Sequence, residues 1–112
     1  MESCVFCQIA EGRLPAEIYY EDEEVLILRD VAPQAPIHLL VIPRRHVASA
    51  SEVDDGRIWS TVMTAAVAAA HRLGLVEKGF RLVVNSGEEA GQTIPHLHVH
   101  LLAGRSFRWP PG

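Results

Sequence analysis

The chain reads as an α+β domain: a five-stranded, mainly antiparallel sheet with one long helix and a short N-terminal helix. Three observations predict it. Strand-type segments fall in runs, three before and two after a single helical stretch, rather than alternating with helices. In that stretch Trp59, Met63, Ala66, Ala70 and Leu73 recur at spacings of three or four, the stripe of an amphipathic helix. Finally, 112 residues leave room for one hydrophobic core. Residues 1–112 are therefore expected to form a single domain, with 103–112 as a C-terminal tail.

Cys4 to Ala10 suits a short helix, closed by Gly12 and followed by Pro15. Ile18–Glu21 and Val25–Arg29 are apolar, β-branched and aromatic, and the acidic run Glu21 to Glu24 reads as a solvated turn between them. Residues 30–36 form a loop, because Pro33 and Pro36 remove donors and bias their neighbours away from helix. Ile37–Ile42 is a third strand stopped by Pro43. Ser51 to Asp54 resembles a helix N-cap with acids in the first turn, and the helix is expected to run to about Leu73, with Gly74 as its stop. Its Ala65–Ala70 run is small on every side, which permits close approach of a second element. Phe80–Ser86 and Thr93–Leu102 complete the strands, joined by a glycine-punctuated connection. One long helix leaves part of a five-stranded sheet uncovered, so a homodimer is expected.

Composition excludes several classes. Ten Lys+Arg against fourteen Asp+Glu give a net charge of −4, with no cationic run beyond two residues. The footprint of a duplex nucleic-acid binder is missing. No apolar stretch approaches the roughly 20 residues of a membrane-crossing helix. Two cysteines and no visible secretory signal point to a reducing, cytoplasmic setting.

The informative segment is Pro95-His96-Leu97-His98-Val99-His100-Leu101-Leu102. Residues two apart on a strand point the same way, about 6.6 Å apart, so the three imidazoles share a face and the aliphatics fill the other. Burying three unpartnered imidazoles would be costly. Two chemistries use such a row: metal chelation, with a further ligand from elsewhere, and nucleophilic catalysis, with neighbouring rings stabilising charge. No carboxylate lies in the strand to serve a catalytic metal. What precedes it is Asn85-Ser86-Gly87 and Gly91-Gln92-Thr93, where glycines free main-chain N–H groups and Asn, Gln and Thr add neutral hydrogen bonds, an arrangement suited to phosphate.

These residues carry a strong resemblance to the histidine-triad (HIT) superfamily, and within it to the Hint branch of nucleoside phosphoramidate hydrolases, in its bacterial Cys-x-x-Cys form. The triad is His96, His98 and His100, followed by Leu101 and Leu102. Asn85 and Gly91-Gln92-Thr93 match what precedes the triad, and the segment Asp30 to His38 resembles the family's loop and fourth histidine. The ending Trp109-Pro110-Pro111-Gly112 looks like that of the Hint branch.

The resemblance implies that His98 attacks the α-phosphorus of a nucleotide and forms a covalent nucleotidyl-histidine, which water hydrolyses. A neutral imidazole, with an ordinary pKa near ~6.5, has a free nitrogen at neutral pH. The resemblance further implies that His100 and His38 contact phosphate oxygens, that Thr93 bonds near the leaving group and that Asn85 orients the phosphate, with His96 in support. Asp30 would bind the ribose hydroxyls, while Phe6, Ile9, Leu28 and Val31 wall the base. Gly91 and Gln92 would lie at the phosphate and Trp109 at a partner subunit's site. The implied ligand is a purine nucleotide or nucleoside phosphoramidate, and catalysis needs no cofactor.

Leu28 where an aromatic is common, the added charge of Arg29, and Thr93 in place of Ser bear on base and leaving-group preference. Cys4 and Cys7 supply half of a tetrahedral zinc site, which the resemblance completes with His46 and His96 as a structural site. Three other readings are a dinucleoside polyphosphate hydrolase, a nucleotide-binding or scaffold protein with incidental turnover, and a zinc protein that uses the histidine row itself as ligands.

Overall fold

The computed structural model describes residues 3–112. Helix α1 (Val5–Ala10) is followed by strands β1 (Ile18–Glu21), β2 (Val25–Arg29) and β3 (Ile37–Pro43), helix α2 (Gly56–Arg72), and strands β4 (Arg81–Val83) and β5 (Val99–Ala103). The strands form one antiparallel sheet in the order β1-β2-β3-β5-β4. The expected α+β architecture is therefore the observed one.

Strand alternation divides the sheet into two unlike faces. Val25, Ile27, Leu39, Val41, Val99 and Leu101 meet Val62, Ala66 and Ala69 of α2 in a dry aliphatic core. Each fully buried aliphatic side chain contributes about 1.5–3 kcal/mol. Leu26, Leu28, Leu40 and Ile42 point the other way, onto Cys4, Phe6 and Cys7 of the α1 segment. His38 and His100 also lie on this second face, in register with Leu102 and Leu40 respectively.

The acidic turn is built by Asp22, whose Oδ1 accepts the main-chain N–H groups of Glu24 and Val25 at 2.8 Å each. Those bonds, led by the one from Glu24, hold its carboxyl below the usual range. The stop of α2 falls where expected. Gly74 takes a φ of 68°, and Leu75 N–H donates to Ala70 O at 2.9 Å, a Schellman closure that a side chain at 74 would strain.

The remaining boundaries differ from the sequence expectation. α2 starts at Gly56, capped by Asp55, whose side chain accepts from Arg57 N–H at 2.9 Å. Ser51 does not cap it: its hydroxyl pairs with Ser49 at 2.7 Å, residues 50–52 form a single 3-10 turn, and Val53 is extended. The buried stripe is Ile58, Val62, Ala66, Ala69 and Ala70; Trp59, Met63 and Leu73 flank it half-buried. β3 extends one residue further, to Pro43. β4 keeps only three of the seven expected residues, and β5 begins at Val99 rather than Thr93. Residues 93–98 leave the ladder because they bond elsewhere. Leu97 N–H donates to Val47 O at 2.6 Å and His96 N–H to Ile94 O at 2.8 Å, around Pro95, which has no N–H to give.

Candidate active site

A cleft of about 950 Å³ opens on the second face of the sheet. Its apolar wall comes from α1 (Val5, Phe6, Ile9), Leu14, Leu28, Leu40 and Ile94, and its polar floor from Asp30, His38, Thr93, His98 and His100. Val31 stands at the rim, 101% exposed. A few converging polar groups in a largely apolar concavity is the usual form of a small-molecule site.

The three histidines of the row do share a face, as alternation requires, while Leu97, Val99 and Leu101 are buried on the other. Their ring nitrogens are engaged differently. His98 is 7% exposed and its Nδ1 lies 2.7 Å from the main-chain O of His96. A carbonyl only accepts, so the neutral ring carries its proton on Nδ1 and leaves Nε2 with a bare lone pair. The Phe6 ring packs edge-on at 5.3 Å between centroids and restrains that orientation. His100 sits beside it at 5.0 Å, its Nδ1 at 2.9 Å from His38 Nε2. His38 Nδ1 accepts the Gln34 main-chain N–H at 3.0 Å, and Asp30 Oδ2 lies 3.4 Å from His38 Nε2. Burial, helped by the neighbouring rings of His98 and His38, pushes His100 down to about 4; burial also lowers His38, against the pull of Asp30. His38 and His100 are thus neutral at pH 7.

His96 belongs to a second cluster, closed to solvent at 0% exposure. Its Nε2–H donates to Pro43 O at 2.8 Å, which turns the Nδ1 lone pair towards Cys4 Sγ (3.3 Å) and Cys7 Sγ (3.6 Å). His46 Nδ1 lies 3.3 Å from Cys7 Sγ. Burial and the adjacent Cys4 sulfur raise the Cys7 thiol, and burial lowers His96 to about 4. The four donor atoms lie within 4.8 Å of one another. A tetrahedral zinc ion with Zn–S of ~2.3 Å and Zn–N of ~2.0–2.1 Å has S···N edges of about 3.5 Å, so these separations fit one. The Pro43 carbonyl behind His96 is the outer partner a metal-ligating histidine usually has. The cysteines form no disulfide.

Of the residues singled out from the sequence, Phe6, Ile9, Leu28, Asp30, Val31, His38, Thr93, His98 and His100 converge on the cleft, and Cys4, Cys7, His46 and His96 on the closed cluster. Asn85, Gly91, Gln92 and Trp109 are not among the residues lining the cleft. Gln92 sutures loops instead: its Nε2 donates to Ala48 O (2.8 Å) and Ile94 O (3.0 Å), and its Oε1 accepts Gly87 N–H (3.0 Å). Gly91 N–H is spent on Glu88 O, so the expected amide cradle is consumed within the turn. Trp109 is 82% exposed. Sequence reasoning missed Gln34, which acts through its main chain, and Leu14, Leu40 and Ile94 in the cleft wall.

A histidine-floored cleft on one face of a β1-β2-β3-β5-β4 sheet, with the long helix on the other, defines the histidine-triad class. Residues 11–107 match the HIT domain family. An uncharacterized HIT-like protein of Synechococcus elongatus is 45% identical, the alignment covering 99% of this chain and 98% of that protein. The crystal structure of a HIT family hydrolase from Legionella pneumophila superposes with a TM-score of 0.95 at 44% identity, covering 97% of this chain and 99% of that one. A histidine triad protein from Clostridium difficile gives 0.92 at 37% identity, covering 96% of each chain. The chain belongs to the HIT domain family, and its fold is that of the HIT family hydrolases. Among the described residues, no helix is long and apolar enough to cross a membrane.

Proposed function

We propose that this chain is a Hint-type nucleotidyl hydrolase that converts purine nucleoside 5'-phosphoramidates to the nucleoside monophosphate and an amine. One observation carries the reading: His98 gives its Nδ1–H to the His96 carbonyl and so turns a bare Nε2 into the cleft. In the proposed reaction His98 Nε2 forms a bond to the α-phosphorus as the P–N bond breaks, and the amine leaves with a proton taken from solvent. Water then adds its oxygen to phosphorus and breaks the N–P bond of the nucleotidyl-histidine, which returns one proton to solvent and regenerates neutral His98. Phosphoryl transfer demands alignment and charge stabilisation above all, and His100 and Thr93, which line the cleft floor, would supply both. Phe6, Ile9, Leu28 and Val31 would hold the base, and Asp30 the ribose. Neither step calls for a cofactor.

Zinc at Cys4, Cys7, His46 and His96 would be structural: bound there it would supply no chemistry to the phosphate, but would tie α1 to the segment just before β5 that carries His98. The half-buried Trp59, Met63, Phe80, Leu82 and Val84 beside edge strand β4 support a homodimer, with the tail after Ala103 contributing Trp109 to the partner's cleft. We place the protein in the cytoplasm as a single HIT domain over 1–112.

The test is to assay an adenosine or guanosine 5'-phosphoramidate beside a diadenosine polyphosphate. The account expects the phosphoramidate to be the better substrate and His98→Ala to abolish its turnover while AMP still binds. Preference for the polyphosphate would reassign the substrate, and turnover by the His98→Ala variant at a rate close to that of the wild type would overturn the mechanism. Sedimentation of the purified protein decides the dimer.

A further inference from the structure

His38 has both ring nitrogens engaged inside the protein, so it has none to offer a phosphate directly. Its Nδ1 is 3.0 Å from the main-chain N of Gln34. A main-chain N–H can only donate, so Nδ1 accepts, and the proton of the neutral His38 ring sits on Nε2. That Nε2–H has two acceptors in reach, His100 Nδ1 at 2.9 Å and Asp30 Oδ2 at 3.4 Å. His100 Nδ1 therefore accepts in turn, and the His100 proton sits on Nε2, on the ring edge away from His38. The two neighbouring rings on the cleft floor thus carry opposite tautomers: His98 bears Nδ1–H and a bare Nε2, His100 a bare Nδ1 and an Nε2–H.

We propose that the Gln34 main-chain N–H is a positioning group that, relayed through His38, fixes His100 as a neutral Nε2–H donor beside the nucleophile. The inference deepens the hydrolase reading and rests on it only for the catalytic consequence. In the opposite His100 tautomer, Nδ1–H would face His38 Nε2–H, two donors with nothing between them, and the cleft would meet a lone pair where phosphate oxygens gather charge. A donor already aimed at that charge needs no reorganisation during the reaction.

The loop that carries Gln34 is held from several sides. Asp30 Oδ1 accepts Ala32 N–H at 2.8 Å, Gln34 Nε2 donates to Ala32 O at 3.0 Å, and Arg105 Nε, from beyond β5, donates to Gln34 O at 3.1 Å. Gly104 packs so tightly on this loop that a Cβ there would lie 2.8 Å from Pro36 Cβ. The amide is aimed by the fold.

The experiment is nitrogen-15 NMR of the imidazoles in the full-length protein at neutral pH, which reads each tautomer without substrate. The expected spectrum has His38 and His100 as Nε2–H and His98 as Nδ1–H. A protonated Nδ1 on His38 or His100 would overturn the proposal, and the wild-type spectrum decides this alone should a variant fail to fold. Gln34→Pro removes the donor and Gln34→Ala keeps it. Mixed tautomers at His38 and His100 are expected only in the proline variant, with kcat about tenfold below that of Gln34→Ala and AMP affinity equal in the two. Native tautomers in Gln34→Pro, or equal kcat in both variants, would contradict the relay. The expected tautomers without phosphoramidate turnover in the wild type would sink the hydrolase reading and leave the relay standing.

Discussion

His96 and His98 sit two residues apart on the same face, yet their surroundings are opposites. His96 is sealed among two cysteines and a second histidine, with its Nε2–H spent on Pro43 O. His98 lies on the floor of an open cleft, with its Nδ1–H spent on His96 O. Each ring donates to one main-chain carbonyl, but from opposite nitrogens. The carbonyl that receives the proton decides which lone pair is left over, and the leftover lone pair faces sulfur in one case and the open cleft in the other. Residue type and spacing do not separate the two roles; the hydrogen-bond partner does.

The largest effects should come from breaking this contrast directly. His98→Ala is expected to lower turnover by about 10³-fold or more, the size of effect that loss of the proposed nucleophile would have, with a smaller loss of thermal stability than His96→Ala. His96→Ala is expected to do the reverse first. It removes a buried ring and a candidate metal ligand, costing about 3 kcal/mol or more of folding stability, measured by urea unfolding. Similar stability losses in the two variants would mean that the two sites are not distinct.

Metal removal sharpens the comparison from the other side. Zinc content should be near one per chain, and Cys4→Ser/Cys7→Ser should lose it and melt earlier. Four-ligand binding is coupled to folding, so the fall in Tm should match that of wild type treated with a chelator. A chain purified with no metal and indifferent to chelator would contradict the closed cluster as a zinc site.

A smaller effect follows from pH. Burial holds His100 at about 4, against ~6.5 in an unfolded chain. Between those values the unfolded chain binds a proton that the folded one does not, so stability falls as pH drops from about 6.5 towards 4. His96 and His38, lowered by burial as well, add to the same slope, so His100→Gln should lessen it without removing it in unfolding curves taken across the window. The smallest effect is expected at the rim. Val31→Ser changes a fully exposed side chain on the cleft wall, so stability should stay within about 0.5 kcal/mol while KM rises a few-fold.

Much of this was legible in the sequence. β1 and β2 have their expected bounds because their apolar runs are flanked by unambiguous turn residues. The start of α2 was displaced because Ser51 and Asp55 are both good caps, and only the extended Val53 chooses between them. β5 is shorter than its pattern suggests because period-two alternation extends N-terminally from Val99 to Pro95, beyond the point where the ladder begins. In the site, residue type singles out His38 and His98, and both line the cleft. It does not single out Gln34, since its contribution is a main-chain N–H that every residue but proline owns. Gln92 looked like a phosphate contact because an amide side chain in a glycine-rich loop serves a ligand or a carbonyl equally well; here it serves Ala48 and Ile94.

The most direct measurement is to quench the reaction with a labelled purine nucleoside 5'-phosphoramidate during turnover and map the label by peptide mass analysis. The account predicts an acid-labile nucleotidyl adduct on His98 that appears and decays at rates compatible with kcat. Turnover with no adduct, or an adduct on His100 or on a cysteine, would contradict it.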